Sequence, residues 1–381
     1  MSELLSVVMP SYNQGQFLRE AIDSVLSQEG VDFELIVMDG GSTDDSVEIL
    51  RSYGERLTFT SGPDDGQSWA INEGMRRTSG SIVCWLNSDD RFLPGVLRTV
   101  VEVFDTDPDL EFVTGRGNNI ALGGALVGDV GAEPARLWEL IHHRNFFNQP
   151  SCFMRRDLWF DVGELNEELD YVMDWDLWIR CGCAKSEFLQ LPLSDNREYE
   201  DNKTNSGGQA RLDEIESMVR SYTRVELPPV LELYGYETAI KSGEQSEQMR
   251  QELEAKFVAG MSERISGIEP RGAFGAEFSF SMAPRSSGDT LVAEFSSVAR
   301  YVKEGHSKTP VILQWRSALH GSGAFSLQPE KQSQQFEFPF TLEMGEVATI
   351  DVVVTGEGYT PIGSREILGY FDRAGSKNDN R

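Results

Sequence analysis

From Leu4 to Leu97, short apolar runs alternate with amphipathic stretches at helical spacing, and that alternation commits a chain to βαβ units around a parallel sheet. The runs predict strands over residues 4–9, 33–38, 57–60 and 82–86, with helices over 16–27, 44–53, 67–78 and 94–104. Each run stops on residues rich in Pro, Gly, Asp and Asn: PSYNQG, DGGSTDD, SGPDDGQS and NSDD. In a parallel sheet these segments share one edge and line one crevice, where open α/β sheets bind ligands. The fourth segment is the most informative. Residues 82–86 are apolar throughout, as in a strand covered on both faces, and Asn87, Ser88, Asp89 and Asp90 follow at once. Two adjacent carboxylates at that edge repel unless a cation or hydrogen bonds hold them. A divalent metal carrying a phosphate meets the need, and so does a solvated turn whose Asx side chains cap the helix near Pro94; this stretch alone leaves both open.

The other strand ends suit a nucleotide. Tyr12 offers a flat face for a base, with Pro10 fixing the chain beside it. Asp39 can accept from a base N–H, Gly40 and Gly41 let the backbone come close, and Ser42 or Thr43 caps the next helix. A helix N-terminus there, like the one after Gly66 and Gln67, presents free N–H groups to phosphate or ribose oxygens. The chain has no GxGxxG and no GxxxxGK[ST], so a pyrophosphate would be held mainly by metal.

Taken in order, SVVMPSYNQGQFLREAIDSVLSQ, ELIVMDGGSTDDS, GQSWAINEGMRRTSG, IVCWLNSDDRFLP, FNQPSCFMRR, VGELNEEL and YVMDWDLWIR make the chain resemble the family 2 glycosyltransferases over about residues 5–204. The resemblance implies the GT-A fold, a Rossmann-like and mostly parallel α/β sheet, and inverting transfer from a nucleotide-sugar with Mg²⁺ or Mn²⁺. It makes Tyr12 and Asp39 the base-binding pair; Asp39 suits the N3–H of uracil or thymine, favouring a UDP- or dTDP-sugar over a GDP-sugar. The family's DxD element falls on Asn87-Ser88-Asp89, so Asp89 is the implied primary metal ligand, Asp90 its neighbour in the metal set, and Asn87 a weaker ligand or a ribose partner. Pro10, Gly40 and Gln67 complete the implied donor site.

YVMDWDLWI has an apolar stripe in Val172, Trp175 and Ile179 and predicts a helix over 171–179. Asp174 and Asp176 lie two apart on it and cannot both face one ligand. The family's base motif falls on Met173-Asp174, which implies Asp174 as general base; apolar Met173, Trp175 and Trp178 would raise its pKa by desolvation. For Asp174 the competing reading is a helix cap at the surface, which for Asp176 is the favoured one. The segment LPLSDNREYEDNKT resembles one that closes over the nucleotide in relatives. Arg197-x-Tyr199 falls where Arg-x-His is common, so no imidazole ligand comes from here. Arg197 and Lys203 are expected partners of the pyrophosphate, with plain surface charge as the competing view. The loop from Phe146 to Pro150, between an expected helix over 134–142 and a strand over 151–154, is placed by the resemblance near the acceptor sugar.

At 381 residues the chain has room for two domains. We expect a GT-A domain over 1–230, a helical linker over 231–268 and an antiparallel β-sandwich of jelly-roll type over 269–381, where period-2 runs such as VILQWRSAL and ATIDVVVT take over. Trp315 reads as buried core and the tail after Ala374 as disordered. Net charge is −28, and residues 1–230 hold 41 Asp and Glu against 19 Lys and Arg, which repels nucleic acid and anionic lipid. Cys84, Cys152, Cys181 and Cys183 are too few for a disulfide scaffold and read as reduced, partly buried thiols. His142 and His143 point apart on a helix, so surface or hydrogen-bonding roles are expected ahead of metal binding. No basic segment precedes the first apolar run and no apolar segment is long enough to span a membrane, which points to the cytoplasm. Family analogy adds the inner face of the cell membrane, a saccharide or lipid-linked saccharide acceptor in surface-glycan assembly, and leaves self-association open. Two other readings compete: a sugar- or nucleotide-binding assembly protein without turnover, to which Asn87, Met173 and Tyr199 point, and a nucleotidyltransferase, which would need a basic phosphate loop where PSYNQGQF has none before Arg19.

Overall fold

Strand β1 (Leu5–Ser11) is buried along its whole length because it is paired on both edges, with β2 (Phe33–Asp39) and β4 (Ile82–Trp85), each parallel to it. The computed structural model that shows this describes residues 3–130, 132–135, 137–182, 184–200, 202–222, 229–243, 245–262, 273–274, 277–282, 289–297, 311–317, 320–327, 334–342, 348–355 and 369–376. The outer neighbour of β2 is β3 (Thr58–Ser61), again parallel. Helices α1 (Gly15–Leu26), α2 (Ser46–Ser52) and α3 (Gln67–Arg76) connect these strands, and α4 (Val96–Thr106) follows the short β5 (Arg91–Phe92). Their apolar faces come from helical spacing: Leu18, Ala21, Ile22 and Val25 on α1, and Val96, Val100 and Phe104 on α4, are buried in one core with β1, β2 and β4.

Past β4 the sheet stops being parallel. Its order is β3-β2-β1-β4-β8-β6-β9-β5, where β6 is Phe112–Ala121, β8 is Cys152–Arg155 and β9 is Ser186–Glu198, while β7 (Leu126–Asp129) pairs β6 alone. Strand β8 runs antiparallel to both β4 and β6, β6 is parallel to β9, and β5 is antiparallel to β9. The expected α/β sheet is therefore mixed. Its switch point lies between β1 and β4, whose carboxyl ends carry residues 10–12 and 87–90.

The chain divides into two compact units, Met1–Ala135 with Asn145–Leu177 and Ala184–Glu214, and Arg136–Arg144 with Trp178–Cys183 and Ile215–Arg381. Remaining helices are α5 (Leu137–His142), α6 (Arg156–Asp161), α7 (Met173–Arg180), α8 (Lys203–Ser206), α9 (Gly208–Tyr222), α10 (Pro229–Ser242) and α11 (Glu247–Ser262). Within the helical linker expected over 231–268 the described residues form two helices, α10 and α11, separated at Gly243, where φ is 68°.

In the second unit, β10 (Ala273–Phe274), β17 (Gly369–Ser376), β12 (Asp289–Ser297) and β15 (Gln334–Leu342) form one antiparallel sheet. A second comprises β11 (Glu277–Met282), β16 (Ala348–Thr355), β13 (Val311–Ser317) and β14 (Gly321–Leu327). Trp315 on β13 is 4% exposed and meets Phe338 on β15 edge-on at 5.2 Å, so aromatic side chains join the sheets face to face. The tail is ordered two residues further than expected, since Gly375 and Ser376 pair with Val292 and Leu291 on β12; residues 377–381 lie outside the described residues. No helix among the described residues is long and apolar enough to cross a membrane.

Helix α3 sits close on β1 because Gly74 has no side chain: a Cβ there would lie 2.4 Å from Val8 Cγ1. Gly74→Ala gains roughly 1 kcal/mol of helix propensity, while overpacking a core costs about 1–3 kcal/mol. Val8 is 0% exposed on the central strand and has nowhere to move, so the clash should win. A net loss of about 1 kcal/mol is expected in urea unfolding; an unchanged or higher midpoint would show that α3 can slide.

Candidate functional site

The loops at the carboxyl ends of the parallel strands are tied to one another before any ligand arrives. Asn13, held at φ 51°, accepts the Thr43 N–H on its Oδ1 at 2.8 Å, and its own N–H donates to Ser42 Oγ at 2.8 Å. Asp39 Oδ1 accepts from Ser42 Oγ at 2.5 Å; its Oδ2 accepts from Ser61 Oγ at 2.6 Å and from the N–H groups of Ser42 and Gly41 at 3.1 and 3.2 Å. One carboxylate thus fastens the ends of β2 and β3.

Beside this knot opens a pocket of about 1030 Å³. Its walls bring together Pro10, Tyr12, Gly40, Gln67, Asn87, Asp89, Asp90, Asp174 and Arg197 of the residues singled out in the sequence. Asp39 is the exception. It is 3% exposed and is not among the pocket-lining residues; its Oδ2 takes three hydrogen bonds and its Oδ1 one, which leaves Oδ1 with acceptor capacity. Tyr12 is 61% exposed at the rim, with its ring available for stacking.

Arg197 also has partners within the protein. Its side chain is 2% exposed, its Nε donates to the Asp89 carbonyl at 2.9 Å, Nη1 to the Leu122 carbonyl at 2.8 Å, and Nη2 to Glu20 at 2.6 Å. The guanidinium lies over the Phe17 ring at 4.8 Å. With these donors engaged within the protein, Arg197 joins three segments as a strut while still lining the pocket. Its backbone N–H in turn donates to Asp90 Oδ1 at 2.9 Å. Asp90 is 7% exposed, and burial together with the charge of Asp89 pushes its pKa well up. Asp89 is half-buried; desolvation raises its pKa, while the Tyr199 hydroxyl, donating to Oδ2 at 2.8 Å, works the other way. Burial and the Asp89 charge raise the Tyr199 pKa in turn, so the phenol stays neutral and remains a donor.

A run of amides crosses the pocket floor. Lys203 Nζ pairs with Asp170 at 2.6 Å and donates to Gln67 Oε1 at 3.2 Å; Gln67 Nε2 donates to Asn87 Oδ1 at 2.9 Å; Asn87 Nδ2 donates to Gln149 Oε1 at 3.1 Å; Gln149 Nε2 donates to the Trp85 carbonyl at 3.0 Å. Asn87 is thereby fixed with both ends used. Gln149 came from the loop already under suspicion, but Asp170 carried no signal.

Asp174 lines the opposite wall, half-buried, one residue into α7. Desolvation raises its pKa from the ordinary 3.8 to about 6, against the pull of the Trp175 N–H, the Arg211 charge and Asn145, whose Nδ2 donates to Oδ2 at 3.2 Å. Asp176 is 7% exposed and absent from the pocket wall, so the two acids face different surroundings and Asp176 is no surface cap. The loop before α7 is clamped by a stripe on α3. Arg76 bonds Glu164, Asn72 exchanges hydrogen bonds with the backbone of Leu165 at 2.9 Å each way, and Ser68 Oγ donates to the Leu169 carbonyl at 3.1 Å. These residues recur every four positions and so share a helix face.

Among the described residues no group of three or more His, Cys, Asp or Glu converges as a metal cage. A cation that arrives with a phosphate needs less, one or two carboxylates with the phosphate oxygens supplying the rest. Asp89 fits that limited requirement; Asp90, tied to the Arg197 N–H, does so less well. Cys84, Cys152 and Cys181 are buried cysteines outside any disulfide, and Cys183 lies outside the described residues. His142 and His143, expected in surface or hydrogen-bonding roles, are buried at 0% and 3% exposure.

The family model Glycosyl transferase family 2 matches residues 6–156. A PGL/p-HBAD biosynthesis glycosyltransferase of Mycobacterium bovis (strain BCG / Pasteur 1173P2) is 31% identical over 187 residues, which span 47% of this chain and 69% of that protein. Among solved structures, S. aureus TarS 1–349 in complex with UDP-GlcNAc aligns with a TM-score of 0.46 at 16% identity, covering 67% of this chain and 72% of that one. The mannosyltransferase PcManGT from Pyrobaculum calidifontis, in complex with GDP-Man and Mn²⁺, aligns at 0.45 and 16% identity, covering 68% and 81%.

If Arg197 is a strut, Arg197→Met should cost about 2–4 kcal/mol in chemical denaturation, because buried carbonyls of Asp89 and Leu122 lose their donors. The folded fraction should keep its nucleotide affinity by titration calorimetry. Normal stability with lost affinity would return Arg197 to the ligand.

Proposed function

The chain belongs to the family 2 glycosyltransferases, and from that premise we propose that it transfers a sugar from a nucleotide-sugar to a hydroxyl of a saccharide acceptor with inversion at the anomeric carbon. The observation that carries this reading is Asp174, a half-buried carboxylate with its pKa at about 6, lining the same pocket as Tyr12, Gln67 and Asp89. A group that titrates there is ionised at neutral pH yet basic enough to take a proton in flight.

The donor is proposed to lie along the strand tips, its base against Tyr12 and its phosphates towards Asp89 and Lys203, the cation whose Nζ stands between Asp170 and Gln67. The acceptor hydroxyl lies beside Asp174, near Phe147 and Gln149. As the hydroxyl oxygen attacks the anomeric carbon, its proton passes to an Asp174 oxygen and the bond from that carbon to the diphosphate oxygen breaks, releasing the nucleoside diphosphate. The attacking and leaving oxygens are on opposite sides of the carbon, hence inversion. When bound, Mg²⁺ or Mn²⁺ supplies positive charge against the departing diphosphate, with Asp89 the residue that would hold it. The sequence-based preference for UDP- or dTDP-sugars rests on Asp39 alone, so GDP-sugars belong in the same assay panel. A saccharide acceptor of surface-glycan type, free or lipid-linked, is the class we propose.

Asp174→Asn should lower transfer about 10²–10⁴-fold while nucleoside diphosphate affinity stays within about twofold. The wild-type rate should rise with pH through about 6 and level off, because the base must be ionised. Stability gives an independent check. A carboxyl whose folded pKa lies above its unfolded 3.8 costs stability when ionised, by about 2 kcal/mol after discounting for partial exposure. Asp174→Asn should therefore stabilise the protein above pH 6, an advantage that fades as the pH falls below 6 and vanishes below 3.8. Full turnover in this variant would refute the assignment.

A further inference from the structure

Glu214 is on α9, about forty residues from the acid it serves, and nothing in its sequence surroundings marks it. Its Oε1 accepts the N–H groups of Tyr171 and Val172 at 2.6 and 2.9 Å, and its Oε2 accepts that of Asp170 at 2.9 Å. Three consecutive backbone donors at the entry to α7 thus converge on one carboxylate. These N–H groups precede the first helical hydrogen bond, from Asp176 N–H to the Val172 carbonyl at 2.9 Å, and without Glu214 they would have no ladder to join. Asp174 follows two residues after the last of them. One turn earlier on α9 is Arg211, whose charge acts on Asp174.

We propose that Glu214 is a positioning residue for transfer, fixing the entry of α7 so that the Asp174 carboxylate meets the acceptor hydroxyl. The proposal rests on Asp174 being the base. The groups that face Asp174 are Asn145 from the preceding loop, Arg211 from α9 and the Trp175 N–H from its own helix. None of them holds the backbone. The α3 stripe anchors Leu165 and Leu169, upstream of the turn; at residues 170–172 the backbone N–H groups go to Glu214, while the Asp170 side chain pairs with Lys203 and the Val172 carbonyl accepts from Asp176. Misplacing a catalytic group by about 1 Å can cost on the order of 10²-fold in rate.

The test uses the full chain with Glu214→Ala and Glu214→Gln, assayed at a temperature where circular dichroism shows both folded. Glu214→Ala should lower kcat about 10–100-fold with donor KM within about twofold. Glu214→Gln keeps one carbonyl oxygen for the Tyr171 and Val172 N–H groups and should restore kcat to within about fivefold of wild type. Hydrogen exchange gives a readout independent of turnover: amides 170–176 should exchange faster in Glu214→Ala, with protection of β1 unchanged. Wild-type kcat in Glu214→Ala, a kcat in Glu214→Gln as low as in Glu214→Ala, or unaltered protection at 170–176 would each overturn the proposal. If Asp174→Asn keeps turnover, the base assignment fails instead, whatever the exchange experiment shows.

Discussion

A hydrogen bond from a backbone N–H to a carboxylate recurs at several places where this structure changes direction near its pocket. Regular structure leaves donors unpaired at strand tips and helix entries, and a buried unpaired N–H costs about as much as a lost hydrogen bond. Asp39 takes those of Gly41 and Ser42, Asp44 those of Gly15 and Ser46, Asp64 that of Gly66, Asp90 that of Arg197, and Glu214 those of residues 170–172. Each bond joins a loop to a different part of the chain or closes a turn on itself. The acid excess of the N-terminal part is therefore partly architectural, since some of its carboxylates work as acceptors inside the fold and not as surface charge. Arg197 does the converse, giving its donors to carbonyls of the β6–β7 turn and of Asp89.

How legible the fold was depends on what determined each part. Strands β1, β2 and β4 were visible because strands buried on both faces are largely apolar, and a run such as residues 82–86 has few other uses; β3, mostly exposed, was read from its place in the alternation. The other half of the sheet was not. Strand β9 alternates buried and exposed positions irregularly and slips register around Pro192, so its thirteen residues present no period a reader could count. Strand β14, with Gly321 and Gly323, lacks apolar alternation too; Gly323 is there because a Cβ would meet the Trp315 ring at 2.7 Å. The β-rich C-terminal region showed itself through period-2 runs, whereas the helix break at Gly243 depends on a left-handed backbone that composition does not announce.

In the site, residues whose role is a matter of chemistry alone were easier to find than those whose role depends on partners. Tyr12, Gln67, Asn87, Asp89 and Asp174 reach one pocket because strand ends and a helix start put them there. Arg197 and Asp39 have partners within the protein that the sequence did not show, for a common reason. A sequence shows a charge but not whether it has been spent, and both side chains satisfy themselves within the protein. Glu214 and the α3 stripe escaped notice because they act on backbone atoms far along the chain.

The base role proposed for Asp174 would need that supporting structure. Had Arg211 and Asn145 fully offset its desolvation, the carboxyl would titrate near its ordinary value and be too weak a base for a sugar hydroxyl. Left without them it would titrate higher still. The intermediate position is one in which the ionised acid weighs against folding, so the segment that bears it would relax away from the wall if it were free to do so. Clamps at Glu164, Leu165 and Leu169 from α3 and at residues 170–172 from Glu214 remove that freedom. Basicity at Asp174 and rigidity of the turn before it are thus two aspects of one requirement, and a change that loosens the turn should let the acid escape to water and lose its strength as a base.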